Sequence, residues 1–479
     1  MNRRSFLKGC IGFSALAATR GFGITNLSYA NAATSNSPRS EPQNDLLVYV
    51  FVRGGMDGLN LVAPFNTSRA DRDAYYTKLR PNLNIPAPNT SAQRKLTDLD
   101  GKFGLHPDAC RGARGVFTPN QTESDTGGLL SLFRSGDLAI VHAAGSLDGT
   151  GSHFDTQLYV DTGNTSSTSG WVTRYLQSAN APQDALVMSP SQATPLSLSE
   201  WYGATAIPNA DAFGPIWVDG GDEYVQSLVE AQRAVLQPMF SGDTSFVHAI
   251  GQSALHSLDP LHSALTQTYT PAATSQMGDS TPDGGMFGRA MHTVARLAKS
   301  NLSNPLRVAC VDVGGGWDTH DNQGTTEPNS DYCRLIANLS NNLKAFHDDM
   351  SADPRWRGRF SVVVLSEFGR VLYQNSSGGC DHGSGNAMLV IGNGNVNGGR
   401  IYGQWPGLSE LGNNDGLKIT TDYRRVIAEV LNTRMGAPRE QINQTVFPGL
   451  GYGATMGLMK AATRAPTSPR SYLPSVSMG

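Results

Sequence analysis

Several stretches of the chain are apolar at every position rather than at alternate ones. Leu46-Leu47-Val48-Tyr49-Val50-Phe51-Val52 is the longest of them. Leu138–Val141, Val308–Val311, Ser361–Leu365 and Ala387–Ile391 repeat the pattern. Continuous apolar runs of this length predict strands buried on both faces of a largely parallel sheet. Helical periodicity lies between or after them, over Met286–Ala298, Tyr332–Met350 and Tyr423–Met435. Buried strands interleaved with amphipathic helices predict a layered α/β fold, a three-layer α/β/α sandwich with a mostly parallel central sheet. Neither an internal repeat nor a second composition regime breaks the chain. One domain is expected over residues 45–460, with a polar insertion at about 190–282 and a Pro/Ser-rich mobile tail over 461–479.

The N-terminus reads differently. Arg3-Arg4 precedes Ser5-Phe6-Leu7-Lys8, a short apolar stretch over Gly9–Ala18, and the small-x-small triplet Ala30-Asn31-Ala32. That order is the pattern of a twin-arginine export signal over residues 1–32, followed by a flexible lead-in over 33–44. Export would run through the twin-arginine translocase to a periplasmic or secreted location. The apolar stretch is too short and too interrupted to be a stable membrane anchor. Cleavage would take the formal charge from −3 to −7, since Arg3, Arg4, Lys8 and Arg20 leave and no acid does. A mildly acidic chain argues against a nucleic-acid partner. Cys110, Cys310, Cys333 and Cys380 show no C-x-x-C spacing, so cysteine chemistry is not expected, and their pairing does not follow from sequence.

In open α/β sheets ligands gather beyond the carboxyl ends of the strands. Here those ends carry Arg53-Gly54-Gly55-Met56-Asp57, Gly151-Ser152-His153, Asp318-Thr319-His320 and Ser366-Glu367-Phe368-Gly369-Arg370, with Cys380-Asp381-His382-Gly383 before the last run. In an extended segment residues i and i+2 point the same way, so Asp318 and His320 can address one cation. With Asp57, Glu367, Asp381 and His382 they form a pool of ligands for one or two divalent metals, Zn, Mn or Ca. Ser152 is read either as a metal-activated nucleophile or as a plain helix cap, and His153 as an acid/base group or an orienting neighbour. Arg53 and Arg370 either clamp an anion or pair with the site carboxylates.

Taken in order, these motifs resemble an exported bacterial family catalogued as domain of unknown function fifteen-oh-one. The resemblance also takes in Asn397-Gly398-Gly399-Arg400 and Thr421-Asp422-Tyr423-Arg424. That family in turn resembles a distant branch of the alkaline phosphatase and sulfatase superfamily. The resemblance implies an alkaline-phosphatase-like sandwich with metals at the strand ends. By it, Asp57 corresponds to the first metal-binding Asp and Ser152 to the nucleophile. Asp318, His320 and His382 correspond to ligands of the other metal. One departure stands out. Where the superfamily has Asp-His-Gly, this chain has Glu367-Phe368-Gly369, which leaves the second metal a ligand short. The expectation is a metal-dependent hydrolase of phosphate, sulfate or related esters, acting on an anionic small molecule or glycan. The alternative is a secreted binding or assembly protein that keeps the fold without the chemistry.

Overall fold

The structure is a computed structural model. It describes residues 45–110, 127–179, 186–189, 193–201, 204–207, 210, 223–240, 251, 260–272, 285–300, 302, 305–314, 316–324 and 330–461. The expected export signal and lead-in, and all of the expected tail but residue 461, therefore lie outside the described residues, as does part of the expected insertion.

A nine-stranded sheet runs through the molecule. Its strands are β1 (Leu46–Val52), β2 (Leu138–Gly145), β3 (Leu186–Ser189), β4 (Ala204–Ala206), β5 (Leu306–Val313), β6 (Phe360–Ser366), β7 (Asn386–Ile391), β8 (Arg400–Tyr402) and β9 (Thr421–Asp422). They lie in the order β8-β2-β7-β6-β1-β5-β3-β4, with β9 also on β2. All pairings are parallel except those of β7, which runs against both β2 and β6. A separate three-stranded antiparallel sheet covers Val62–Pro64, Thr97–Asp98 and Phe103–Leu105.

Alternate residues of β1 serve two cores. Leu46, Val48, Val50 and Val52 join one, shared with helices α1 (Gly128–Arg134), α4 (Met286–Lys299) and α5 (Asp331–Ala352). Leu47, Tyr49 and Phe51 join the other, under α3 (Trp171–Ser178) and α6 (Tyr423–Thr433), with Val160 of α2 (His153–Thr162). The chain is thus a mixed α/β protein with helices on both faces of a large, mostly parallel sheet. Burying each such Val, Leu or Phe contributes roughly 1.5–3 kcal/mol, which explains why no charged or strongly polar position interrupts β1. Cys110, Cys310, Cys333 and Cys380 are buried and unbridged.

Register decides where the chemistry goes. Val52 pairs with Val313 on one side and Ser366 on the other, so β1, β5 and β6 end level. Because β7 is antiparallel, the segment leading into it arrives at the same rim. β2 is parallel to β6 through β7 and also ends there, feeding the loop to α2. Five segments far apart in sequence therefore meet along one edge.

Candidate metal centre

Burial alternates along the segment after β5, whose backbone closes two tight turns, Thr319 N to Trp317 O and His320 N to Asp318 O, both at 3.0 Å. Trp317 and Thr319 turn inward and are buried, while Asp318 and His320 face out. This alternation puts both side chains on the rim. Asp318 Oδ1 lies 3.1 Å from His320 Nε2, 3.2 Å from His382 Nε2 and 3.2 Å from His153 Nε2. His320 Nε2 and His382 Nε2 are 2.8 Å apart. Ligand atoms of His153, Asp318 and His382 all fall within 4.8 Å of one another.

Each imidazole is held from behind. His382 Nδ1 donates to the carbonyl of Gly151 at 2.7 Å, His320 Nδ1 to Asp381 Oδ1 at 2.8 Å, and His153 Nδ1 to Glu367 Oε1 at 2.7 Å. An oxygen acceptor at Nδ1 leaves the Nε2 lone pair free. Three such lone pairs point at one carboxylate oxygen. Two bare imidazole nitrogens at 2.8 Å repel unless a proton or a metal lies between them. His153 Nε2 is buried and makes no hydrogen bond, although Asp318 Oδ1 is near enough for an ion pair. Donors about 2.0–2.1 Å from a zinc-sized ion stand about 3.3 Å apart in a tetrahedron, close to the distances from Asp318 Oδ1 to the three rings, although His320 falls outside the mutually close group of His153, Asp318 and His382. The donor set fits a divalent transition metal.

Electrostatics keep this set ready. Burial works against ionisation of Asp318, but Arg370 Nη2 at 2.7 Å and the neighbouring imidazoles hold its carboxyl well below the usual range. Burial lowers the His382 pKa, which favours the neutral ring a metal needs. The hydrogen bond to Glu367 raises that of His153. Phe368 packs between two of the ligands, its ring centroid 4.8 Å from both His153 and His382.

The other residues expected at the site take different places. Asp57 is fully buried, with Oδ2 2.7 Å from Arg80 Nη1 and 2.8 Å from Gln323 Nε2, apart from the imidazole group. Glu367 touches His153 rather than the convergent atoms. Its Oε1 also accepts from Gly54 N at 2.8 Å and Gln157 Nε2 at 2.7 Å, and Oε2 from Ser366 Oγ at 2.9 Å. Asp381 supports His320. Ser152 caps α2, its Oγ accepting from Asp155 N at 3.5 Å, and stands half-buried beside His153. Arg370 is buried and reaches the carbonyls of Gly54, Gly55, Trp317 and Cys380 as well as Asp318. Arg53 pairs with Asp161 at 3.0 Å and Asp312 at 2.9 Å.

The sequence reading passed over Arg80, Gln157, Gln323, Asp161 and Asp312. Gln157 had a signal, since it lies one helical turn after His153 on α2. Arg80 had none, being brought in at the C-cap of the short helix Thr77–Leu79.

A second buried cluster joins His106, Asp108 and Cys333. Arg94 already pairs with Asp108 and contacts Cys333 Sγ at 3.6 Å. Burial pushes the Cys333 thiol up to about 12, so it is protonated. A cation in place and a neutral thiol do not fit a metal.

Residues 252–436 match the family described as "Protein of unknown function (DUF1501)". The matched segment holds Asp318, His320, Glu367, Arg370, Asp381 and His382, whereas His153 comes from outside it. No curated protein matches the chain. Among solved structures, similarity is found to the C-terminal periplasmic domain of EcEptC from Escherichia coli in complex with Zn. Identity is 10%, with 76% of this chain and 75% of that one covered, at a TM-score of 0.29. The TAB5 alkaline phosphatase mutant with Mg bound in its M3 site is 10% identical over 74% of this chain and 91% of that one, at a TM-score of 0.27. An alkaline phosphatase PafA mutant is 12% identical over 70% and 64%, at 0.23. Likeness at this level carries no chemistry to the present chain, and the functional argument rests on its own residues.

Proposed function

We propose that this chain binds one divalent transition metal through His153, Asp318, His320 and His382, and that the centre hydrolyses a phosphate, sulfate or related ester. The observation that carries the reading is the convergence of three Nε2 lone pairs on Asp318 Oδ1, each ring tethered at Nδ1 by an oxygen. An imidazole-rich set suits zinc and its neighbours and disfavours calcium, which takes oxygen ligands. A bound divalent metal supplies Lewis acidity toward an ester oxygen. Arg370 holds the Asp318 carboxylate ionised and in place. Glu367, Asp381 and the Gly151 carbonyl orient the rings. Ser152, at the open start of α2 beside His153, is the group best placed to attack. The arginine pair and cleavage triplet of residues 1–32 support export by the twin-arginine translocase to the periplasm or beyond. Among the described residues no helix is long and apolar enough to cross a membrane.

One observation favours a second reading, a binding or assembly protein without turnover. Arg53 and Arg370 are both engaged by protein carboxylates or carbonyls, so neither offers a guanidinium to a transferred group.

Elemental analysis of the purified protein tests the metal. About one zinc-like ion per chain is expected in the wild type, and a large loss in His382→Ala and His320→Ala. Wild type that takes up no metal even on reconstitution overturns the proposal. Aryl phosphates, phosphodiesters and aryl sulfates then test turnover. Hydrolysis that falls at least a hundredfold in Ser152→Ala supports the nucleophile (of the order of a lost covalent step). A loaded protein inert to all three classes leaves the binding reading.

A further inference from the structure

We infer that Glu367 is a positioning residue that fixes His153 in the tautomer carrying its proton on Nδ1, so that Nε2 faces the convergent site. The inference rests on the metal reading for its purpose, but not for its geometry. Glu367 is buried with no side-chain exposure. Its Oε1 receives Gly54 N–H at 2.8 Å and Gln157 Nε2–H at 2.7 Å, and Oε2 receives Ser366 O–H at 2.9 Å.

The orientation of Gln157 is itself set. Arg53 Nη1 donates to its Oε1 at 3.2 Å, so the amide nitrogen must be the end facing Glu367. An ionised carboxylate surrounded by these donors only accepts. The remaining contact to Oε1, His153 Nδ1 at 2.7 Å, is therefore made by a ring N–H. Position is fixed from the other side too. Phe368 packs on the His153 ring, and α2 carries both His153 and Gln157. Arg53, Gln157, Glu367 and His153 form one relay, which gives Arg53 a role as orienter. Imidazoles that bind metals are commonly held this way by an outer acceptor, whose loss weakens metal binding about 10–100-fold.

The test reads the ring directly. The chain is labelled with 15N in its histidine rings and stripped of metal. Two-bond 15N–1H correlations are recorded at alkaline pH, with His153 assigned by His153→Gln. The Nδ1–H pattern is expected for His153, and an Nε2–H pattern in the wild type overturns the inference whatever any variant does. In Glu367→Ala the pattern should move to Nε2–H, and zinc affinity measured by chelator competition should fall about 10–100-fold. Glu367→Gln should keep both, since its amide oxygen can hold the place where Gly54, Gln157 and His153 donate, with its NH2 turned to Ser366 Oγ. Wild-type ring pattern and affinity in Glu367→Ala overturn the role, and so does a loss in Glu367→Gln as complete as in Glu367→Ala. A wild type with the Nδ1–H pattern that takes up no zinc sinks the metal reading while the tautomer assignment stands.

Discussion

Asp57 and Asp318 follow neighbouring parallel strands, β1 and β5, and what surrounds each of them is opposite in kind. Asp57 is closed in. A guanidinium and an amide donate to Oδ2, its backbone carbonyl accepts from Tyr332 at 2.5 Å, and no solvent reaches it. Asp318 is open, its side chain 47% exposed, and the groups around it are mostly acceptors whose lone pairs face inward. The first carboxylate has its cation built into the fold as Arg80, whose other nitrogens reach the carbonyls of Leu372 and Val371. The second, even with Arg370 beside it, gathers more lone pairs than donors. Residue type and strand position are shared by the two. Each carboxylate has an arginine at 2.7 Å, so what separates a closed ion pair from a candidate ligand set is exposure and the imidazole nitrogens gathered at Asp318.

The largest effect should come from breaking the closed region. Arg80→Ala leaves a buried carboxylate without its cation, and such losses cost about 3–5 kcal/mol. Asp318→Ala removes a half-exposed group and leaves buried Arg370 with its four carbonyl acceptors, so it should destabilise the metal-free chain less, by about 1–3 kcal/mol. Urea unfolding of both variants, each stripped of metal, measures this. Metal content should show the reverse, near wild type in folded Arg80→Ala and lost in Asp318→Ala. Equal destabilisation by the two substitutions would end the distinction.

Acid should separate the regions next. Metal entry needs a bare Nε2 on His153, whose pKa is raised above 6.5 by Glu367. Affinity should therefore decline as pH falls through that raised value, from roughly neutral downward. Glu367 behaves with the opposite sign. Burial would raise its carboxyl, but donors from His153, Gln157 and Gly54 hold it below 4.5. Its contribution to stability is fully present above the unfolded value and is lost only as pH falls through the lower folded one. The protein should thus begin to release metal as pH falls through the raised His153 value, and lose the Glu367 contribution to stability only at lower pH, below the ordinary carboxylate value. Metal content and thermal unfolding followed over the same pH series check this. Unfolding that coincides with metal release would mean that the rim and the core are one unit.

The strands and the two-sided cores were legible in sequence because burial on both faces leaves runs of four or more apolar residues within each central strand. β1 spans the predicted Leu46–Val52, and helices α4, α5 and α6 begin within one residue of their predicted starts. The pairing of Asp318 with His320 was legible too, since burial there has period two and Thr319 turns inward. Asp57 could not be placed in the same way. Its partner is Arg80, 23 residues on, at the C-cap of a short helical segment, Ala70–Leu79, that the apolar pattern does not mark. Glu367 and Asp381 were recognised as belonging to the rim. Sequence gives no means of telling an atom aimed at a cation from one aimed at the back of a ligand's ring. That difference is set by which strand end lies next to which.

The smallest effect concerns the ring that separates two ligands. Phe368 donates nothing to a metal. Its ring lies 4.8 Å from both His153 and His382, at interplanar angles of 38° and 37°. It is 3% exposed, and Gly55 leaves room for it, since a Cβ there would come within 2.5 Å of the ring. Gly55 has φ +65, a conformation that glycine adopts without strain, so the close approach and the turn favour the same residue. Phe368 then works as a spacer, restraining both rings from the face their tethers do not reach. An aromatic contact of this kind contributes about 0.5–1.5 kcal/mol beyond its buried area. Phe368→Leu should keep the metal but weaken its affinity by about two- to tenfold, the same energy expressed as binding. The closed Asp57–Arg80 pair should be untouched, so the chelator-competition curve moves while the urea midpoint shifts no more than for an ordinary core substitution. An unchanged affinity would reduce Phe368 to filling, and a loss as deep as that of His382→Ala would mean that the open region depends on packing as much as on its tethers.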